Sequence, residues 1–407
     1  MTINEQLAKL TGVTDKVESE SVRRLFDHTS NNTPDKLLEA LAAYAASDDG
    51  FSERNKSLID DLAHLLADDQ DLLSRPYIEK RRTAELAIEL FIVAGYITKA
   101  ATLARAYRRA TGKLYSLHSS GSAELLTVAL SRELLWSLLT QDPAAILEIV
   151  DALGSAARDN LTAPDEARYL SVAQSIAHAM HDVLFRARPS FSKQVLDARA
   201  ELLVELAVLT RQARLLRTAK SLAAVVNHVS RYATSYTLGN GNGALTQRML
   251  EALYGEAAES RVPLLWPPQQ SALANGLLSA PYYVVSAPTS SGKTFLAELK
   301  ISMFLDRKPD GLAVYVAPYN ALAKQVGDAM TKRFRTAGIP PAIVWTGTYE
   351  IDSREIGSAA VLVTTPEKLD GIVRSASEGN IAGLELLRRA GLFIFDELHL
   401  IASHNRG

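Results

Sequence analysis

Tyr282-Tyr-Val-Val-Ser-Ala-Pro-Thr-Ser-Ser-Gly-Lys-Thr-Phe-Leu-Ala-Glu-Leu-Lys-Ile301 joins an apolar run, a small-residue loop and an amphipathic run. That is the strand, loop and helix context a phosphate-binding loop needs. Within Ala287 to Thr294, Gly292 lets the backbone come close to phosphates. The amides of Thr289, Ser290, Ser291 and Gly292 would point inward at a helix N-terminus, and Lys293 would add a compact positive charge. Thr294 would offer its hydroxyl to Mg2+. The general pattern begins with Gly, whereas Ala287 stands first here.

A second stretch completes the pattern. Gly391-Leu-Phe-Ile-Phe395 reads as a strand buried on both faces, and Asp396-Glu-Leu-His399 follows it. Carboxylates at the C-terminal end of such a strand lie where open α/β sheets bind ligands. Asp396 is placed to hold Mg2+ through water, and Glu397 to orient or deprotonate an attacking water. The two stretches together read as two halves of a nucleoside triphosphate site.

The remainder sets bounds. A chain of 407 residues with 47% hydrophobic residues can hold two or three domains with real cores. It has no cysteine, which excludes disulfides and thiolate metal sites, and its N-terminus lacks a basic region followed by an apolar one. A cytoplasmic protein is expected. The segment 86–97 is interrupted by Glu89 and falls short of the ~20 residues a membrane span needs, so it reads as a buried helix. A net charge of −2 provides no global field for nucleic acid, so any such groove must be built from local contacts.

Two textures divide the chain. Residues 1–236 read as an all-helical domain, with helices over 77–94, 97–110, 121–139, 164–186 and 193–231. Thr33-Pro34 and Asp142-Pro143 are start signals, and 84–110 reads as a hairpin turning near Gly95. This domain is expected either to bind a protein partner or regulate, or to be a structural appendage. Arg211, Arg214, Arg217, Lys220 and Arg231 step around one helix and read as a solvated face. Residues 237–262 hold a Gly/Asn linker and a short helix, Ala244 to Tyr254. From 263 to 407, five strands alternate with helices: 282–285, 312–316, 342–345, 360–363 and 392–395. This is the signature of a parallel α/β sheet covered by helices.

Further motifs follow those strands. They are Trp266-Pro-Pro-Gln-Gln-Ser-Ala-Leu273 upstream, then Ala317-Pro-Tyr-Asn-Ala-Leu-Ala-Lys-Gln325, Thr346-Gly-Thr-Tyr-Glu350 and Thr364-Thr-Pro-Glu-Lys-Leu-Asp370. In this order, residues 260–407 resemble the first lobe of superfamily 2 DExH-box helicases, and most closely their Ski-like branch. Thr348 stands where that branch has an acidic residue.

The resemblance implies a RecA-like, P-loop NTPase sheet, ATP and Mg2+ as cofactors, and catalytic roles for Lys293, Asp396 and Glu397. Gln269 would read the adenine edge, with a helix-capping glutamine as the alternative and Gln270 adjacent. Pro318, Asn320, Gln325, Thr364, Thr365 and Lys368 would hold the backbone of one DNA or RNA strand, although threonines in such places also serve as caps. His399 would couple nucleotide and nucleic-acid binding, or would be a structural hydrogen-bonding residue. Family members continue to a motif III strand, which lies between the strands of motifs I and II, and to a second RecA-like lobe with arginine fingers. The sequence stops at Gly407. The expectation is therefore an incomplete first helicase lobe, a fragment or half of a split protein, with little hydrolysis alone. A translocase without strand separation, or a helical interaction module beside an inactive lobe, are the alternatives.

Overall fold

The computed structural model describes residues 85, 87–111, 123–158, 163–238, 244–254, 262–287, 292–346 and 359–398. Its contacts divide the chain into two units, Met1–Leu184 with Ser190–Arg231, and Phe185–Pro189 with Tyr232–Gly407.

The described part of the first unit is all helix, as its three-and-four apolar spacing dictates. Residues 87–93 are helical, the chain turns at Gly95 with φ of +84°, and α1 runs Ile97–Thr111, so the expected hairpin is present. Then come α2 Ala123–Thr140, α3 Pro143–Arg158, α4 Pro164–Phe185, α5 Lys193–Leu209 and α6 Ala213–Tyr232. Asp142 caps α3 as its sequence suggests, its carboxylate accepting from the Ala145 amide at 3.1 Å. Thr33-Pro34 lies outside the described residues.

Ala87, Ile88, Leu90, Phe91 and Ile92 are buried, and with them Glu89, whose carboxylate lies 2.7 Å from Arg217 Nε. Two expectations need correcting here. Arg217 is turned into the core against Glu89, while Arg211, Arg214 and Arg231 are exposed. The single helix expected over 193–231 is broken at Thr210–Gln212. The Thr210 hydroxyl donates to the Ala207 carbonyl at 2.7 Å, and Arg211 takes a left-handed φ of +57°. A local hydroxyl bond thus ends α5, although the apolar periodicity runs on.

In the second unit, α7 Thr234–Leu238 and α8 Ala244–Leu253 precede α9 Pro267–Ala274 and α10 Lys293–Arg307. The linker residues 239–243 lie outside the described residues. Asp306 accepts from both the amide and the hydroxyl of Thr246, which ties the start of α8 to α10. Met249, Leu250 and Leu253 of α8 enter the same core as Leu299 of α10. The short helix read as part of a connector is therefore built into the unit.

The remaining elements alternate: β1 Leu312–Val316, α11 Asn320–Ala337, β2 Ile343–Trp345, β3 Val361–Thr364, α12 Pro366–Ser377, α13 Ile381–Arg389 and β4 Ala390–Phe395. The strands form one parallel sheet in the order β2-β3-β1-β4, with Val314 opposite Leu362 on one side and Phe393 on the other. This is a RecA-like α/β fold after an all-α region. Strand period decides the packing. Ala313 and Tyr315 face the core shared with α8, α10 and α11, whereas Leu312, Val314 and Val316 face Ile372 of α12 and Leu386 of α13.

The fifth expected strand, Tyr282 to Val285, is not in the sheet. Its alternation is right, since Tyr283 and Val285 pack on the same core as Leu392 and Ile394 of β4, but no ladder forms. Its outer residues Tyr282 and Val284 are 92% and 85% exposed, and Phe393 and Phe395 of β4 are also exposed. Among the described residues, β4 is an edge with a strand on one side only. The approach to the segment is pinned by Lys300 of α10, which donates to the carbonyls of Leu277, Leu278 and Ala280 at 2.9, 3.0 and 2.7 Å. Burial pushes the Lys300 ammonium below its ordinary pKa, with Arg307 adding repulsion. Lys300→Met should unpin three carbonyls at once, at a cost of about 1–3 kcal/mol. Faster amide exchange over 276–287, with β1 unchanged, is the expected reading.

Candidate functional site

The head of α10 and the end of β4 meet at the C-terminal side of the sheet. Gly292 takes φ of +77°, which a side chain would resist, and it turns the chain directly into Lys293 and Thr294 at the start of α10. The first amides of a helix have no partner within it, and the helix dipole favours anions there. Lys293 Nζ lies 2.8 Å from Glu397 Oε1 and 3.4 Å from the Ala287 carbonyl. Two side chains 104 residues apart in sequence are thereby in direct contact. Residues 288–291, with Thr289, Ser290 and Ser291, are outside the described residues, as is His399.

Asp396 extends the ladder one residue past β4, its amide donating to the Val316 carbonyl at 2.9 Å. Both of its carboxylate oxygens are engaged. Oδ1 accepts from the Glu397 amide at 3.0 Å, and Oδ2 accepts from the Tyr315 hydroxyl at 2.6 Å. Glu397 sits at φ of +47°, a left-handed position that costs a non-glycine residue on the order of 1 kcal/mol and persists where surroundings enforce it. That backbone turn sends Asp396 and Glu397 to different partners, Tyr315 and Lys293. The Tyr315 phenol is pushed far above its ordinary pKa, first by burial and then by the Asp396 carboxylate, while a hydrogen bond with the Thr294 side chain opposes the shift. Tyr315 therefore stays protonated and donates. Sequence reasoning did not single it out; a tyrosine inside the apolar strand Leu312–Val316 was the available signal, because a buried phenol needs a partner.

Gln269 is 2% exposed, and both ends of its carboxamide are used within the protein. Its oxygen accepts from the Trp266 amide at 2.9 Å, closing the N-terminus of α9, and its nitrogen donates to the Gly292 carbonyl at 3.3 Å. The structure thus places it as the capping glutamine, the alternative to the adenine-reading role. It also ties α9 to the turn before Lys293, where a Cβ on Gly292 would stand 2.1 Å from Gln269 Nε2.

The expected nucleic-acid contacts lie at the same sheet edge, farther from β4, and divide by exposure. Asn320 and Gln325 on α11 are exposed, and Lys368 on α12 is half-buried with its ammonium 5.8 Å from the Trp345 ring centre. Pro318, Thr364 and Thr365 are buried. The Thr364 hydroxyl is spent on the Trp345 carbonyl at 3.0 Å, and Thr365 occupies the N-cap position of α12. The Thr364 side chain thus ties β3 to β2, while Thr365 makes no side-chain cap bond. Tyr319, at the N-cap of α11 and 52% exposed, is an aromatic that the sequence reading passed over.

The chemistry of these groups fits a nucleotide with a hard cation. Among the described residues no cluster of three or more His, Asp or Glu side chains could hold a metal by itself. Thr294 and Asp396 offer one hydroxyl and one carboxylate, the sparse oxygen set that suits Mg2+, which keeps waters and takes further oxygens from phosphates. Among the described residues no helix is long and apolar enough to cross a membrane.

Comparison with known proteins agrees with this geometry. Residues 266–407 match the DEAD/DEAH box helicase family. The chain is 34% identical over 149 residues to the ATP-dependent DNA helicase Hel308 of Pyrococcus abyssi, a match over 37% of this chain and 19% of that protein. It is 30% identical over 153 residues to the Hachiman protein HamB of Bacillus cereus, over 34% of this chain and 14% of that one. It is 36% identical over 118 residues to the human activating signal cointegrator 1 complex subunit 3, over 29% of this chain and 5% of that one. The matches therefore span about a fifth or less of these relatives' length.

Proposed function

We propose that this chain, whose residues 266–407 carry the DEAD/DEAH box helicase domain, is the ATP-binding part of an ATP-dependent nucleic-acid helicase. The observation that carries this reading is the meeting of Lys293 with Glu397 beside Asp396, at the head of α10 and the C-terminal end of β4. In this reading the amides at the start of α10 hold phosphate oxygens and Lys293 leaves Glu397 for the nucleotide. Glu397, released, orients the attacking water and takes its proton. Thr294 and Asp396 hold Mg2+, which when bound neutralises charge on the phosphate oxygens. Gln269 would reach adenine only by giving up its bond to the Trp266 amide or to the Gly292 carbonyl. Asn320, Gln325 and Lys368, with the N-termini of α11 and α12, would grip one strand through its backbone. Efficient turnover would need arginine fingers from a second lobe.

The Hel308 relative is named a DNA helicase, and DNA is the first substrate to test here. Residues 1–236 would bind a partner or regulate, with 263–407 as the ATP-binding lobe. The test is ATP hydrolysis by the protein, with and without single-stranded DNA. Glu397→Gln should keep nucleotide binding while lowering stimulated turnover by about 100-fold or more, the scale of losing a positioned base. Unchanged turnover in this variant would overturn the proposal. A forked duplex set beside a protein-displacement assay separates unwinding from translocation alone.

A further inference from the structure

The phenol of Tyr315 lies against Asp396, one of the two candidate cation-holding side chains, and neither nucleotide motif contains it. Its hydroxyl donates to Asp396 Oδ2 at 2.6 Å. Tyr315 is 1% exposed, fixed by the sheet between β3 and β4, with Val363 and Ile394 as its register partners. A rigid strand residue therefore holds the carboxylate at the end of β4. With the Glu397 amide on Oδ1, Asp396 is held at both oxygens, and its carboxylate plane is set before any ligand arrives.

We infer that Tyr315 is a positioning residue for the cation site, orienting Asp396 for Mg2+ through its phenol oxygen. This rests on the nucleotide-site reading above. Its physical basis is general: groups that orient metal ligands set affinity for the metal about as strongly as the ligands do, with losses of roughly 10- to 100-fold on their removal. Phenylalanine keeps the ring and its packing and removes only the phenol oxygen. Without it Asp396 keeps one of its two fixed bonds and can turn.

The experiment is the binding of a fluorescent ADP analogue to the full chain, titrated with MgCl2 and repeated in EDTA. In Tyr315→Phe, the Mg2+ concentration for half-maximal enhancement of binding should rise about 10-fold, while binding in EDTA stays as in the unaltered protein. A purely structural role would weaken both. The same titration in Asp396→Asn, with and without Tyr315→Phe, should show no added effect of the second change, because Tyr315 acts through Asp396. If the unaltered protein shows Mg2+-enhanced binding and Tyr315→Phe matches it, the inference fails and the nucleotide site stands. Absence of nucleotide binding in the unaltered protein would overturn both. An added effect in the Asp396→Asn background would also overturn the assignment.

Discussion

Lys293→Ala is expected to lower affinity for ATP with Mg2+ by about 10- to 100-fold, the range for a hydrogen bond to a charged group. Equilibrium binding of a fluorescent ATP analogue measures it. The ion pair with Glu397 gives this prediction a second edge. In the free protein Lys293 is held by Glu397 at 2.8 Å, so nucleotide competes with that carboxylate for the ammonium. Glu397→Gln weakens the competitor and should leave affinity equal or modestly higher, even though hydrolysis collapses. The two variants thus separate, with affinity lost in Lys293→Ala and kept in Glu397→Gln. A parallel loss of affinity in both would mean that Glu397 holds the nucleotide instead of competing with it.

A second large effect is expected away from the site. Glu298 on α10 is 1% exposed and is paired with Arg333 of α11, which reaches it from a side chain 25% exposed. Arg333→Met should destabilise the second unit by about 3–5 kcal/mol, because removing one partner leaves a buried charge without compensation. Urea unfolding followed through the sheet reads it, and the double variant Glu298→Gln with Arg333→Met should recover most of the loss. The pH dependence has a definite sign. Burial raises the Glu298 pKa, and the Arg333 charge and hydrogen bond only partly oppose this. The folded state therefore binds the proton more tightly than the unfolded one. This group's contribution is most favourable below the ordinary carboxylate value, and it is lost as pH rises through the raised folded value. Removing Arg333 takes away the opposing influence, so the decline should extend to higher pH. A decline that stays where it was in the unaltered protein would assign the shift to another group.

The sheet was legible to the extent that its strands were continuous apolar runs. Leu312–Val316 was readable to the residue because it is buried on both faces, and β2 to β4 were readable within two residues as short apolar runs, although β4, expected to be buried on both faces, leaves Phe393 and Phe395 exposed on one. The carboxylates and Lys293 were legible because their residue types sit at fixed places beside such runs. What was hidden depended on partners distant in sequence. Tyr282 to Val285 has strand-like alternation, but a ladder needs a neighbour and alternation cannot supply one. Thr210 ends a helix through a hydroxyl bond that periodicity does not register. Arg217 carries the same charge as its exposed neighbours, and only the position of Glu89 turns it inward. Thr364 reads as a strand contact or a cap, and its bond to the Trp345 carbonyl depends on the pairing of β2 with β3. Tyr315 was passed over because an aromatic in a strand reads first as a packing residue, and the hydrogen bond that gives it a role arises from the register of β1 on β4.

The edge at β4 bears on how this polypeptide behaves at high concentration. Among the described residues β4 is paired on one side only and is bordered by the exposed rings of Phe393, Phe395 and Tyr282, and such an edge is a template for backbone pairing between molecules. With a net charge of only −2, long-range repulsion between copies is weak. Solubility is therefore sensitive to the exposed rings along that flank.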